Sequence, residues 1–365
     1  MEIIKHFFEI SIIYLTIILL KAPGAASGIF LFFAFFILYK HRNLITVPVE
    51  LKQVFILFII YLIFFSVVSD YHSRSVKGTY DSLRALAIFP LALIFFEKIR
   101  SFDKGNTLFL LVTIFYLLGN LFFERSYQGA RFWGYHDNPN NVSIEVFFVT
   151  CFGLMMVRNN WYEKVIGLLL VGVSILLLFY GNSRGILLGI IVAAVALISV
   201  YIKKWHKILL LNILIVISAG IYFFYFNIKS FGLSGREKIW IPLFQHTVDN
   251  GLFLGFGINS IKEIILVINS TTQTAHNFFL EVFVASGLIG LMFFLLIIYK
   301  LVKYLVSQTY TKHIRFYAAL FGIIALFIAH QFDLKLASYA FLGMYMVFLA
   351  GLYVSISPKS NSQAN

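Results

Sequence analysis

Two arginines and a histidine, each beside a turn in a chain that is otherwise almost wholly apolar, are the residues best suited to chemistry. Arg184 lies in GNSRG, Arg236 in SGREKIW and His276 in TAHNFFLE. A guanidinium is always charged, and its planar fork of N–H donors matches a phosphate or diphosphate. Gly181 and Gly185 bracket a turn of minimal length, so Arg184 is expected at the mouth of a tight helical hairpin. His276 stands where Thr271, Thr272 and Thr274 give way to an apolar run. At a helix start the positive end of the dipole favours neutral imidazole, which can accept a proton. Together the three point to a site for an anionic, phosphate-bearing lipid on one face of a membrane. Each also has a plainer reading, as an arginine snorkelling from a helix end or a polar residue at the interface.

Around these three lie groups that could hold a substrate. SGREKIWIPLFQHTVDN carries Lys238 beside Arg236, and its apolar residues Ile239, Trp240, Leu243 and Phe244 recur at helical spacing. That pattern predicts a short amphipathic helix on the membrane surface, with Pro242 in or near its first turns. A surface helix that only seals the loop would look the same. Asn277 adjoins His276, and Glu281 follows about one turn later as a membrane-edge carboxylate for which Arg184 or Arg236 could be the partner. Upstream, ERSYQGARFWGYHDNPNN mixes Arg125, Arg131, His136 and Asn140 with Tyr127, Phe132, Trp133 and Tyr135, a composition suited to phosphates and sugar faces. An interfacial aromatic belt has the same composition. Arg74, Lys77 and Arg84 are further cations of this group. The scattered histidines and acids lack the spacing of a zinc or divalent-metal site, so neither a metal nor another cofactor is expected.

The elements that must position these residues are membrane helices. Of 365 residues 60% are hydrophobic and 12% charged, and the mean hydropathy is +0.89; no water-soluble chain of this length tolerates that surface. Apolar runs long enough to cross about 30 Å of hydrocarbon fall near 7–20, 25–39, 52–69, 83–97, 106–123, 142–157, 165–180, 185–201, 208–226, 277–299, 316–330 and 337–356. The expectation is one all-α polytopic domain over 1–365 with about twelve transmembrane helices, interrupted only by a long loop at 227–276 that carries the amphipathic helix. Cys151, the single cysteine, lies in an apolar run and excludes a disulfide framework.

The net charge of +13 does not imply nucleic acid, because basic residues here flank the spans and no nucleic-acid motif occurs. With the N-terminus inside, every cytoplasmic loop has its share of Lys and Arg. Those left outside, including Arg74, Lys77, Arg84, Arg125, Arg131, Arg184, Arg236 and Lys238, oppose the topology signal and crowd the loops named above. A groove lined in this way concentrates an anion. Transporters often have a similar number of spans, but no two halves of this chain match and its charges gather at one face rather than the midplane.

Residues 135 to 295 carry NPNN, the pair of segments joined by NSRG, REKIW followed by GLFLGFGINS, and AHNFFLEVFVASGLIG. In order and placement these resemble the bacterial O-antigen ligase and polymerase superfamily. The resemblance implies a membrane glycosyltransferase fold of the GT-C-like type in the bacterial inner membrane, with a site facing the periplasm. It further implies metal-independent, inverting transfer of a glycan from undecaprenyl diphosphate to an acceptor hydroxyl. On that likeness Arg184 and Arg236 hold the diphosphate and His276 activates the acceptor. The acceptor is lipid A-core oligosaccharide in a ligase and another carrier-linked repeat in a polymerase, and the same three residues serve either. The outer loop is shorter than in many ligases of the group, which bears on the acceptor. Oligomeric state is not legible.

Overall fold

The computed structural model of the protein describes residues 8–13, 15–16, 26–45, 47–100, 105–121, 127–128, 131–132, 139–157, 160–181, 183–201, 237–268, 277–307, 314–333 and 339–356. The helices among them are α1 (Ala26–Lys40), α2 (Val49–Val67), α3 (His72–Leu86), α4 (Ile88–Arg100), α5 (Gly105–Leu121), α6 (Pro139–Met156), α7 (Trp161–Gly181) and α8 (Arg184–Tyr201). After the loop region come α9 (Glu237–Asn250), α10 (Ile261–Val267), α11 (Phe278–Ser307), α12 (Ile314–Asp333) and α13 (Tyr339–Ile356). A small antiparallel hairpin, β1 (Tyr127–Gln128) with β2 (Arg131–Phe132), is the exception among the described residues to the expected all-α class.

This is a multi-pass membrane protein. Among the described residues, Val49–Val67, Trp161–Gly181 and Phe278–Tyr304 are both long and apolar enough to cross a bilayer, and five shorter apolar helices accompany them. Large side chains such as Phe32, Phe35, Leu168, Phe179 and Met292 are exposed, a surface that lipid covers and water would not. Of the expected spans, 208–226 lies outside the described residues and 7–20 is described only in part; the described residues of the others fall mainly in helices, though 83–97 and 277–299 are not single continuous ones.

The main core surrounds α4, whose residues from Leu91 to Phe96 are nearly inaccessible. Helix α4 packs on α13, α13 on α12, and α12 on α6 and α8, while α7 packs on α5 and α6. A second cluster joins α2 to α11 through Tyr61, Leu62, Phe65, Val282 and Phe294. A third seats α9 and α10 on α11 through Leu243, Ile264, Ile265 and Val284.

Two features differ from the sequence expectation, and both shape the site. The segment taken as a span at 83–97 is divided: α3 ends at Leu86 and α4 begins at Ile88. Helix α3 is amphipathic, lies against α2 and α13, and its Thr79 Oγ1 donates to the Leu62 carbonyl at 3.2 Å. The segment at 277–299 is not one continuous helix either, because Gly287 (φ 60°, ψ −162°) interrupts α11. A break inside a spanning helix strands backbone groups that lipid cannot satisfy. Here the glycine-rich loop after α9 supplies the missing partners. Phe256 and Gly257 donate to the carbonyls of Val284 and Ala285 at 2.9 and 2.8 Å, and Leu288 and Ile289 donate to those of Leu252 and Phe253 at 2.8 and 3.2 Å. The approach requires glycine on both sides. Gly255 has φ +66°, and a Cβ there would overlap the Ser286 amide nitrogen; one at Gly287 would overlap the Phe253 carbonyl.

Candidate functional site

The site is assembled where α2 and α3, the loop between α9 and α10, and the first half of α11 meet. Ser69, just past α2, fixes the loop: its Oγ donates to the Phe256 carbonyl at 2.7 Å and accepts from Ser75 Oγ at 2.6 Å and the Tyr71 N–H at 3.0 Å. Both serines are buried. On the membrane side, Ser286 Oγ donates to the Val282 carbonyl at 2.7 Å, so the Tyr61 hydroxyl 3.0 Å away is its donor. Arg74 of α3 and Glu263 of α10 form an ion pair at 2.8 Å. A helix start, a loop and a surface helix are thereby held in one arrangement.

Between them is a cavity of ≈ 60 Å³, lined by Phe58, Tyr61, Ser82, Asn259, Glu281 and Phe294, among others. At roughly 10–15 Å³ per water it admits a few waters or the edge of a small polar group. Its floor is apolar, and Ser82, Asn259 and Glu281 bring polar groups to its wall. Asn259, at φ 64°, is the one non-glycine residue in the left-handed region among the described residues, a conformation asparagine tolerates better than most. Glu281 is 5% exposed. Asn277 caps α11, its Oδ1 accepting from the Leu280 N–H at 2.9 Å while its carbonyl accepts from the Glu281 N–H at 3.0 Å. The residue at 276 therefore directly precedes a capped helix start.

Helix α9 lies alongside. Ile239, Leu243 and Thr247 form its buried face, while Lys238, Ile241, Phe244 and Val248 are exposed. Pro242 falls inside the helix, at its outward face. The rings of Phe244 and Phe283 meet at 5.5 Å between centroids. Glu237 is two turns before that contact and Phe278 about one and a half, so both helices begin within about 10 Å of it along their axes.

The candidate residues are distributed as follows. His276, Arg236, Arg125 and His136 lie outside the described residues. Arg184 is the first residue of α8, Asn140 the second of α6 and Arg131 opens β2; of these the backbone alone is described. The hairpin bearing Arg131 packs on α6 and α7. Lys77 and Lys238 are exposed. Arg84 is 4% exposed and sits 3.4 Å from Asp81 and over the Tyr80 ring. Ser69, Ser75, Ser82, Asn259 and Glu263 enter the site without having been singled out by sequence. For Asn259 the signal is the GLFLGFGINS run, where three glycines within seven residues mark a backbone that must turn sharply; no motif marks the three serines or Glu263.

Residues 146–295 match the family model described as O-antigen ligase. The match supports the O-antigen ligase and polymerase superfamily. No curated protein matches the chain. Within the matched stretch lie the α7–α8 turn with Arg184, Arg236 and α9, the glycine loop, His276 and the broken part of α11. Arg74, Lys77, Arg84, Arg125, Arg131, His136 and Asn140 are outside it.

Proposed function

We propose that the protein is an O-antigen ligase, which transfers polysaccharide from undecaprenyl diphosphate to lipid A-core oligosaccharide at the periplasmic face of the inner membrane. The observation that carries the reading is the packing of α9 on α11 inside the stretch that matches the ligase family: Phe244 against Phe283 brings the helix start that follows Arg236 and the helix start that follows His276 to one region. In this reading the fold is a GT-C-like membrane glycosyltransferase.

The chemistry follows from the residue types. As the acceptor oxygen bonds to the anomeric carbon, the bond from that carbon to the diphosphate oxygen breaks and the configuration inverts. Charge accumulates on the departing diphosphate, where Arg184 and Arg236 stabilise it without a metal. Neutral His276 takes the proton of the attacking hydroxyl. In this reading Glu281, in the cavity wall about one turn into α11, holds a sugar hydroxyl. Lys77, Arg125, Arg131 and Lys238 raise the local potential for an anionic donor, Arg74 and Arg84 brace the site through Glu263 and Asp81, and His136, Asn140 and Asn277 contribute polar contacts.

The second reading, a polymerase that joins carrier-linked repeats, uses the same groups. The test is a transfer assay with purified protein and carrier-linked glycan, offering lipid A-core and carrier-linked repeat in parallel. The ligase reading requires product on lipid A-core; product on the carrier-linked repeat alone selects the polymerase, and absence of any glycosidic product sinks both.

A further inference from the structure

We propose a binding site for one anionic glycerophospholipid in the groove between α2 and the α3–α4 junction, with an acyl chain in the groove and the phosphate on Lys52. The groove is ≈ 400 Å³ and is walled by Ile45 and Val47 of the α1–α2 link, Phe55, Ile56 and Ile59 of α2, and Phe89 near the start of α4. It opens on the exposed side of α2, where Ile56 and Ile60 face outward.

In a bilayer such a space is filled by hydrocarbon. Its walls offer water no partners, and an empty void would forfeit dispersion contacts all round. At roughly 10–15 Å³ of such space per water-sized group, which a methylene approximates, the groove has room for an acyl chain. Pro48, at φ −58°, caps α2 and stiffens the link that forms one wall.

Charge selects the headgroup. Lys52 is the one charged residue lining the groove, is exposed and has no ion pair among the described residues. Its basic neighbours Lys40 and Lys98 are committed to Glu9, at 2.8 and 3.0 Å. Arg42, exposed and three residues before Ile45, adds a second cation at the same end of the bundle. The nearby acid, Glu50, is within electrostatic reach of Tyr304 on α11, on the other flank of α2. The mouth of the groove is therefore net positive and complements a phosphodiester that carries no ammonium of its own.

The test uses the full chain, purified in detergent and examined by native mass spectrometry with phosphatidylglycerol or phosphatidylcholine of identical acyl chains. Wild type should retain one phosphatidylglycerol about tenfold more tightly than phosphatidylcholine. Lys52→Gln should bring the two within about twofold, and Ile56→Trp, which places an indole in the groove, should weaken both. Lipid-free thermal unfolding of both variants should match wild type, since each site is exposed. Equal binding of the two lipids by wild type, an intact preference in Lys52→Gln, or unchanged retention in Ile56→Trp overturns the site.

Discussion

A histidine one position before a helix cap and an arginine at the first residue of another helix are defined by their neighbours more than by their own spans. His276→Ala should lower transfer by about 10²–10⁴-fold, the usual range for a lost general base, with normal insertion as judged by detergent gel filtration. Arg184→Lys should recover part of what Arg184→Ala loses, because an ammonium restores the charge and not the fork. Near-wild-type transfer by His276→Ala would remove its role as base. Arg74 behaves differently: with Glu263 as partner and its own side chain 47% exposed, it is a strut, and such pairs contribute about 0.2–1 kcal/mol. Arg74→Glu should reduce transfer by less than about tenfold, and adding Glu263→Arg should return most of the loss. The type and flanking glycines of Arg184 were legible in the chain. The Arg74–Glu263 pair was not, since an ion pair between elements far apart in sequence exists only once both have docked.

Among the elements, the interrupted α11 decides most. Gly287 reads as part of a continuous apolar run, and hydropathy cannot distinguish an intact helix from a broken one whose backbone is satisfied by a neighbouring loop. The division of 83–97 at Ala87 was hidden for the same reason, with Pro90 as a weak marker. Gly255→Ala or Gly287→Ala would force a Cβ into backbone at positive φ and open the four hydrogen bonds that close the break. Either change should destabilise by about 2 kcal/mol or more in detergent unfolding and lower transfer as the loop shifts. Gly172→Ala, in the open, should do neither. At the opposite end of the bundle, His41 beside Glu9 is held below its usual pKa by burial and by Lys98, against the opposing pull of Glu9. A lowered folded pKa means that the folded form prefers neutral imidazole. Stability from this group is complete above the ordinary histidine range and declines as pH falls through it. Thermal unfolding should therefore weaken from pH ~7 to ~5, and less steeply in His41→Gln.

For the whole molecule, composition alone settled the solvent and the family signature narrowed the chemistry, yet neither separates a ligase from a polymerase. Loss of the gene separates the readings in cells. A strain without a ligase should accumulate long polysaccharide on the carrier and display bare lipid A-core, whereas a strain without a polymerase should display core capped by a single repeat. Each pattern follows from which step is missing, because the donor continues to be made in both. Complementation with Arg184→Ala, produced and inserted at wild-type level, should leave the same pattern as the deletion, and wild-type protein should remove it. Transfer by the purified protein should persist in excess chelator if, as proposed, the arginines carry the leaving-group charge; activity that vanished with chelation and returned with a divalent ion would assign that charge to a metal instead. A single-repeat cap in the deletion strain would retain the arginine and histidine chemistry and replace lipid A-core with the carrier-linked repeat as acceptor.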